Sequence, residues 1–247
     1  RTISEMLNSA ELHSRFETNV DRMTTIITHG QSMIEIALDR GQVRSDEKLS
    51  PLTEVELELL SGDEADFYDY ARQMVRELPL HIDTMSKSQK GFALATGMAV
   101  GPVKSAPPVF DMHGDVDNAI SAVLGSTLAH FTANLGRLRD DADAKTVHQF
   151  RVSLRRMRSA LKIFARLLPC PAFAAMRAQA AEIATLFGPV RELDVLAEAV
   201  SGSPLAKQSS QVTLVPLLTA ISDSRNKALE QAMRVIQSRQ ASLFALQ

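Results

Sequence analysis

The sequence predicts an α+β protein in which an antiparallel β-sheet is followed by an all-α helical bundle. Three observations carry this prediction. Apolar residues alternate with polar ones between residues 16 and 60, they recur every three or four positions from residue 115 onward, and a stretch rich in glycine and proline separates the two regions. A period of two marks one face of a strand, and a period near 3.6 marks one face of a helix.

The charge distribution also divides the chain, near residue 100. Residues 1–100 contain ten Lys and Arg against seventeen Asp and Glu, a net charge of −7, whereas residues 101–247 contain seventeen against twelve, a net charge of +5. Opposite signs favour two modules with different partners. The single cysteine, Cys170, excludes a disulfide within the chain and a cysteine-based zinc cluster, which favours a cytoplasmic location. No apolar run is long enough to span a bilayer, and we expect no membrane partner.

Three stretches in the first half have the composition of strands. They are rich in Thr, Val and Ile or alternate strictly, and they read RFETNVDRMTTII (15–27), SMIEIALDRGQV (32–43) and PLTEVELELL (51–60). An antiparallel sheet is therefore predicted. The segment SKSQKGFAL (86–94) is predicted to be a short final strand or an extended segment.

Helices are predicted on both sides of a linker. EADFYDYARQMVREL (64–78) has apolar residues at three- and four-residue steps, the pattern of an amphipathic helix. Residues 98–114, with their prolines and glycines, form the predicted linker. Beyond it we expect helices at 115–139, 146–168, 171–187, 189–200 and 214–246, with a loop at SGSPLAKQSSQ (201–211).

The predicted helix 146–168 carries an excess of positive charge, because TVHQFRVSLRRMRSALKIFARLLP (146–169) contains no acidic residue. At 100° per residue, its basic residues lie within an arc of about 80°. This basic face comprises His148, Arg151, Arg155, Arg158, Lys162 and Arg166. The neighbouring face is apolar and is predicted to enter the core; it comprises Phe150, Leu154, Met157, Leu161, Phe164 and Leu168.

A solvated helix usually mixes charges of both signs, whereas like charges four residues apart repel each other. An anionic partner is therefore expected, with a merely solvated face as the alternative. Arginine, the main residue of the basic face, binds phosphate oxygens with a planar fork, which favours a polyphosphate or a nucleic-acid backbone. The basic face has no aromatic residue on which bases could stack, and nucleic acid therefore ranks last among the partners.

Two motifs resemble a known family at this point. VHQFRVSLRRMRSALKIF, followed by LFGPVRELDVL (186–196), resembles the first half of a CHAD domain, a helical domain associated with binding inorganic polyphosphate in a basic pocket. The resemblance implies that the polyphosphate-binding residues are His148, Arg151, Arg155, Arg156, Arg158, Lys162 and Arg191. Arg156 lies off the basic face, so its assignment depends on the resemblance alone. Asp194 is expected to orient an arginine.

The segment TEVELEL places Glu54, Glu56 and Glu58 on one face of a strand. Three like charges in a row are unfavourable unless cations or basic side chains face them. This segment alone favours an acidic edge strand that only faces water, and the alternative is a site for Mg²⁺, which prefers oxygen ligands of this kind.

Four segments resemble, in order, the later strands of a CYTH domain, the fold of the triphosphate tunnel enzymes. They are FETNVDR, IEIALDRG, LTEVELELLSG and SKSQKGFAL. The resemblance implies a partial antiparallel β-barrel, triphosphate-tunnel-like, formed by residues 1–97 as the C-terminal part of a CYTH-like domain. Residues 98–114 would be the linker, and residues 115–247 the N-terminal part of a CHAD-like helical domain.

The same resemblance implies roles for individual side chains. Arg22, Lys87 and Glu56 would be catalytic, and Glu54, Glu56 and Glu58 would bind Mg²⁺ or Mn²⁺. Lys90, Glu35 and Asp39 would also line the lumen.

The expected function is metal-dependent hydrolysis of inorganic triphosphate, with polyphosphate captured by the helical module. A non-catalytic polyphosphate-binding module that targets its host to polyphosphate granules in the cytoplasm is the alternative from another class. Adenylate cyclase and thiamine triphosphatase activities, which also use a triphosphate, rank lower because little in the sequence indicates a site for stacking a base.

Overall fold

The computed structural model of the chain describes residues 13–98, 101–110, 113–168, 170–204 and 211–247, with the backbone alone for 211–213. The described residues group into two compact units. The sheet unit comprises the residues up to Phe67 together with 85–98, and the helical unit comprises Tyr68–Thr84 together with the residues from Gly101 onward.

The sheet unit is built on three antiparallel strands in the order β1–β2–β3. The strands are β1 (Glu17–His29), β2 (Ser32–Ser45) and β3 (Lys48–Ser61), which confirms the predicted antiparallel sheet. The connecting turns have left-handed backbone at Gly30, with φ of 59°, and at Asp46, with φ of 51°. Closing a barrel requires the outer strands to find further partners. Within the described residues β1 and β3 each pair only with β2, so the antiparallel sheet of the expected partial barrel is present but is not closed into a barrel.

Two helices follow the strands. Helix α1 (Glu64–Glu77) confirms the amphipathic prediction. Helix α2 (Lys87–Thr96) stands where a final strand or extended segment was predicted, and that prediction is wrong. The reason is a capping box: the Ser86 hydroxyl accepts a hydrogen bond from the Gln89 backbone N–H, and the Gln89 side chain accepts one from the Ser86 backbone N–H. Gly97, with φ of 64°, ends the helix in the left-handed conformation that glycine adopts without strain.

The helical unit contains the remaining helices, and most agree with the sequence. Their bounds are α3 (Val116–Asp140), α4 (Ala144–Phe164), α5 (Pro171–Leu186), α6 (Gly188–Ser201), α7 (Gln211–Gln237) and α8 (Arg239–Ala245). The single helix predicted for 214–246 is divided, because the Ser238 side chain caps α8 by accepting from the Gln240 N–H at 3.2 Å. Most of the predicted loop 201–211 lies outside the described residues. None of the described helices is long and apolar enough to cross a membrane.

Four phenylalanines form the centre of the helical core. Phe131 lies 5.5 Å from Phe150 and 5.3 Å from Phe244 between ring centroids, and Phe150 lies 5.1 Å from Phe187. Helices α3, α4 and α8 and the α5–α6 junction each contribute one of these rings, which are at most 2% exposed. Edge-on and tilted aromatic pairs of this kind add to the free energy of burial. The core therefore fixes the orientation of α4.

The segment 101–110, which lies within the predicted linker, is extended and hydrogen-bonded along α3. The Asn134 amide accepts from the Val103 N–H at 3.1 Å and donates to its carbonyl at 3.0 Å, and His130 Nε2 lies 3.0 Å from the same carbonyl. Ser126 donates to the Ala106 carbonyl at 3.2 Å. These contacts hold the segment on the helical unit.

The buried His130 predicts that the helical unit loses stability in mild acid. Burial lowers the pKa of His130, and the charge of Arg156 lowers it further, against the opposing hydrogen bond to Val103. The unfolded chain, with an ordinary pKa of about 6.5, therefore takes up its proton first as the pH falls. The stabilising contribution of neutral His130 is complete well above that value and is lost below it.

Urea unfolding followed by helical circular dichroism measures this effect. Between about pH 7.5 and pH 5.5, on either side of the ordinary histidine pKa, the free energy of unfolding should fall more steeply for the unchanged chain than for His130→Gln. His113→Gln, at an exposed position, should behave like the unchanged chain. Equal pH slopes for His130→Gln and the unchanged chain would contradict the prediction.

Candidate functional site

One face of the sheet carries charged residues from all three strands. The register places Arg22 of β1 opposite Asp39 of β2, and Asp39 opposite Glu54 of β3. Glu56 lies two residues further along β3, so strand alternation puts it on the same face. The charged face that the sequence of β3 predicts therefore extends over all three strands.

Arg22 and Asp39 form the centre of this charged cluster. Arg22 Nε and Nη2 donate to the two Asp39 carboxylate oxygens, each at 2.7 Å, in the two-pronged geometry typical of arginine and carboxylate. Arg22 Nη2 also donates to Glu56 Oε2 at 2.5 Å. One guanidinium thus bridges the second and third strands.

Helix α2 brings two lysines to the same carboxylates. Lys87 Nζ lies 2.7 Å from Asp39 Oδ2 and 2.6 Å from Glu56 Oε1, and it also contacts Glu54. Lys90, three residues on and therefore on the same side of the helix, lies 3.0 Å from Glu54 Oε2. The Ser86 cap that begins α2 consequently decides where both lysines lie.

The pKa values of Asp39, Glu56 and Lys87 shift in the directions that keep these groups charged. Hydrogen bonds from Arg22 and then Lys87 hold the pKa of the buried Asp39 carboxyl well below its usual range. Lys87, followed by Arg22, lowers the pKa of Glu56 against the effect of burial. Burial opposes the charge of Lys87, but its hydrogen bonds to Asp39, Glu54 and Glu56 outweigh burial and raise its pKa. Three cations and three carboxylates therefore neutralise one another.

The same carboxylates could hold a divalent metal ion. Asp39, Glu54 and Glu56 each offer an oxygen, and these oxygens lie within 4.8 Å of one another. An all-oxygen set of this kind suits Mg²⁺ or Mn²⁺. Asp39 stands in this group where the sequence named Glu58, which pairs across the sheet with Glu35 further along the strands. A metal ion would compete with Arg22 and Lys87 for the same oxygens.

In the helical unit, the two sides of α4 separate as predicted up to Lys162, whereas Phe164 is only half-buried and Leu168, predicted to enter the core, lies beyond the helix and is 39% exposed. Phe150, Leu154, Met157 and Leu161 are buried. The basic side chains at 148, 155, 158 and 162 are exposed. Helix α4 ends at Phe164, so Arg166 lies in the turn beyond it and does not continue the basic face as the sequence predicted. We call the basic side of α4, together with Arg151 and Arg191, the basic groove.

The second sequence motif packs against the first at the α5–α6 junction. The Phe187 ring packs on Phe150, and Arg151 Nη1 donates to the Ala184 carbonyl in the last turn of α5. A cation at the C-terminal end of a helix donates to a carbonyl that has no partner within the helix, and its charge interacts favourably with the negative end of the helix dipole. A Cβ at Gly188 would lie 3.9 Å from Arg151 Nη1, an ordinary contact distance, so the first residue of α6 lies close to the guanidinium.

Positive charges converge at the N-terminal half of α4. Burial lowers the pKa of His148, and the charges of Arg191, Arg155 and Arg151 lower it further. Burial, which Glu192 opposes, also lowers the pKa of Arg151, with Arg191 and Arg155 contributing. The charge of Arg191 in α6 therefore acts on His148 and Arg151 together with the charge of Arg155 in α4.

Arg156 and Asp194 have other contacts. Arg156 Nη2 donates to the Ala106 carbonyl at 3.4 Å, on the side of α4 that faces the extended segment, and its role in the groove stays a prediction. Asp194 is buried and accepts from Arg225 Nε of α7 at 2.5 Å, which agrees with the expectation that it orients an arginine. Sequence reasoning missed Arg225, because it lies 31 residues from Asp194 in a helix without a motif.

Comparisons with known proteins identify the family to which the helical unit belongs. Residues 122–247 match the CHAD domain family, and the chain belongs to this family. Among curated proteins, the inorganic triphosphatase of Haemophilus influenzae is 32% identical over 92 residues, which make up 37% of this chain and 26% of that relative. The chain thus spans about a quarter of the relative's length. The crystal structure of the CHAD domain from the plant Ricinus communis aligns with a TM-score of 0.48 and 28% identity, over 59% of this chain and 48% of that one.

The charged cluster predicts that Asp39→Asn destabilises the sheet. Asparagine keeps the shape but removes the charge that faces Arg22 and Lys87, and hydrogen bonds to charged groups contribute about 1.5–3 kcal/mol. Because Arg22 remains partly exposed to solvent, we expect a loss of about 1–2 kcal/mol.

Amide hydrogen exchange in strands β1–β3 of the whole chain reports this loss directly. Asp46→Asn is the matched control, since Asp46 lies in an exposed turn and asparagine tolerates its left-handed backbone. If both variants exchange at the rate of the unchanged chain, the cluster does not stabilise the sheet.

Proposed function

We propose that the helical unit binds inorganic polyphosphate along the basic groove. The observation that carries this proposal is the row of uncompensated cations on α4. In the part of the chain that the structure describes, no carboxylate forms an ion pair with Arg155, Arg158 or Lys162. Membership of the CHAD family supports the same partner.

A linear polyphosphate fits the length and charge of the basic groove. From His148 to Lys162 the basic side of α4 extends about 21 Å, at 1.5 Å per residue. Arginine forks bind phosphate oxygens through pairs of hydrogen bonds, and a polyanion with one charge per phosphate can engage several of them in sequence. Each contact releases a counterion, so binding should weaken with salt.

This proposal predicts the salt dependence of two variants. Arg155→Ala/Arg158→Ala should bind long-chain polyphosphate more weakly, and its slope of log affinity against log salt should be shallower by about 1–2, because two phosphate contacts are lost. Isothermal titration calorimetry at several salt concentrations measures both quantities. Arg44→Ala/Arg234→Ala removes the same net charge at exposed, ion-paired positions and should leave the slope unchanged. An unchanged slope in the first variant would remove these arginines from the site.

For the whole protein, we propose metal-dependent hydrolysis of inorganic triphosphate, to which the sheet unit contributes as the C-terminal part of a CYTH-like domain (1–97). The curated relative named as an inorganic triphosphatase and the charged cluster support this proposal. Residues 98–114 would then be the linker, and residues 115–247 the N-terminal part of the CHAD domain.

The cluster suggests how these side chains would act. Arg22 and Lys87 would turn from the carboxylates to phosphate oxygens, and Asp39, Glu54 and Glu56 would then be open to a divalent cation. Mg²⁺ or Mn²⁺ bound there would neutralise charge on the phosphates. Glu56 is the most exposed of the three carboxylates, at 48%, so it can reach a water molecule. Because its pKa is lowered, it would orient the attacking water more readily than it would take its proton.

A non-catalytic polyphosphate-binding protein, located in the cytoplasm and associated with polyphosphate granules, is the second candidate. The open sheet favours it, because within the described residues no closed lumen surrounds the charged cluster. Both candidates share the basic groove and differ only in whether the sheet unit takes part in catalysis.

A phosphate-release assay on the full-length protein separates the two candidates. We expect Mg²⁺-dependent release of phosphate from triphosphate, and a loss of about 100-fold in kcat for Lys87→Gln, the size typical of removing one donor from a developing charge. Lys48→Gln, at an exposed hairpin position, is the control and should retain activity. No release with Mg²⁺ present would leave only the binding function.

A further inference from the structure

The ion pair between Asp194 and Arg225 lies at the junction of three elements of the helical unit. Arg225 Nε of α7 donates to Asp194 Oδ1 of α6 at 2.5 Å, and Arg225 Nη2 donates to the Ala142 carbonyl, in the connection between α3 and α4, at 2.8 Å. A guanidinium donates from separate nitrogens held in one rigid plane, so it reaches two acceptors that lie farther apart than those a single ammonium nitrogen can contact. One side chain thus ties α6 and α7 to the entry of the basic helix.

Asp194 depends on this contact. Its side chain is 4% exposed, and its Oδ2 is buried without a hydrogen-bond partner among the described residues. A buried carboxylate requires a compensating charge. Arg225 is the basic residue that forms an ion pair with it.

Arg191 lies three residues before Asp194, and residues at this spacing are neighbours on one side of a helix. The same helix begins three residues before Arg191, at Gly188, which lies close to the Arg151 guanidinium. Arg191 therefore lies between an attractive pair and a group of like charges, since its charge affects both His148 and Arg151. Repulsion among these cations acts against the place of Arg191 beside α4, and the ion pair of Asp194 with Arg225 acts in the opposite sense on the same helix.

We propose that Asp194 and Arg225 are positioning residues of the basic groove, holding α6 so that Arg191 stays beside His148 and Arg151. Arg225 acts through Arg191 and does not itself contact the phosphates. The inference rests on the proposed polyphosphate function. If the pair holds Arg191 in this way, the basic groove is preorganised before the polyanion binds. The free-energy cost of ordering its side chains on binding is then lower.

The experiment is a double-mutant cycle measured by calorimetric titration of long-chain polyphosphate. Arg225→Lys keeps the charge that Asp194 needs but loses the two-directional contact, so the chain should fold and bind about 3- to 10-fold more weakly. In an Arg191→Ala background the same change should cost less than about twofold, because the residue it positions is already absent. In a Lys162→Ala background, at the far end of α4, Arg225→Lys should still weaken binding by about 3- to 10-fold. Arg234→Lys on the same helix is the matched control and should bind like the unchanged chain.

Equal losses in the Arg191→Ala and Lys162→Ala backgrounds would overturn the proposal, since a general loss of stability would act in this way. Unchanged affinity in Arg225→Lys, with the unchanged chain still binding, would overturn it and leave the proposed function intact. Absence of binding by the unchanged chain would overturn both. If circular dichroism shows that Arg225→Lys does not fold, Asp194→Asn serves in its place with the same expected pattern. If neither variant folds, the pair acts in folding and the proposal fails.

Discussion

The helical unit depends on the burial of the apolar side of α4. Phe150, Leu154, Met157 and Leu161 are at most 3% exposed, and each buried side chain of this size contributes about 1.5–3 kcal/mol. Repulsion between like charges three or four residues apart is worth only a few tenths of a kcal/mol per pair. Burial therefore decides which way α4 faces, and the row of cations on its other side is tolerated because the core outweighs it.

The charged cluster of the sheet unit and the basic groove differ in whether their cations are already paired with carboxylates. In the sheet unit, Arg22 and Lys87 are already bonded to carboxylates, so an anion must first displace attractive partners. In the basic groove, Arg155 and Arg158 are exposed and have no carboxylate partner among the described residues. A polyanion entering the groove gains attraction without breaking ion pairs. The sheet site, in contrast, exchanges one set of charged partners for another and favours ligands that bring both an anion and a cation.

The sequence predicted the elements whose signal is periodic and missed features that depend on distant partners. The strands and the separation of α4 into basic and apolar sides follow from local spacing. Helix α2 was missed because SKSQK has no apolar residue that could show a helical period, whereas the Ser86 and Gln89 caps decide its structure. Spacing placed Glu58 with Glu54 and Glu56. Only the register across three strands shows that the cluster is centred on Asp39 and Arg22.

The contact between Asp194 and Arg225 joins residues 31 positions apart and could not be read from either segment. The two motifs of the helical unit show why. Phe187 packs on Phe150, Gly188 lies close to Arg151, and the charge of Arg191 acts on His148, so the second motif complements the first. Arg225 has no such counterpart in sequence, because its partners are a carboxylate and a backbone carbonyl that any sequence could supply.

The convergence of cations in the groove also bears on affinity. Three neighbouring pairs along α4 (Arg151 with Arg155, Arg155 with Arg158, Arg158 with Lys162) together oppose folding by about 1 kcal/mol. A polyanion that neutralises them returns this free energy on binding, which is about fivefold in affinity. This gain exists only while the cations are held close together, as the core holds those of α4 and the buried ion pair holds Arg191. The interactions that hold the cations together against their repulsion in the free protein are thus the ones that let a polyanion gain free energy by relieving that repulsion.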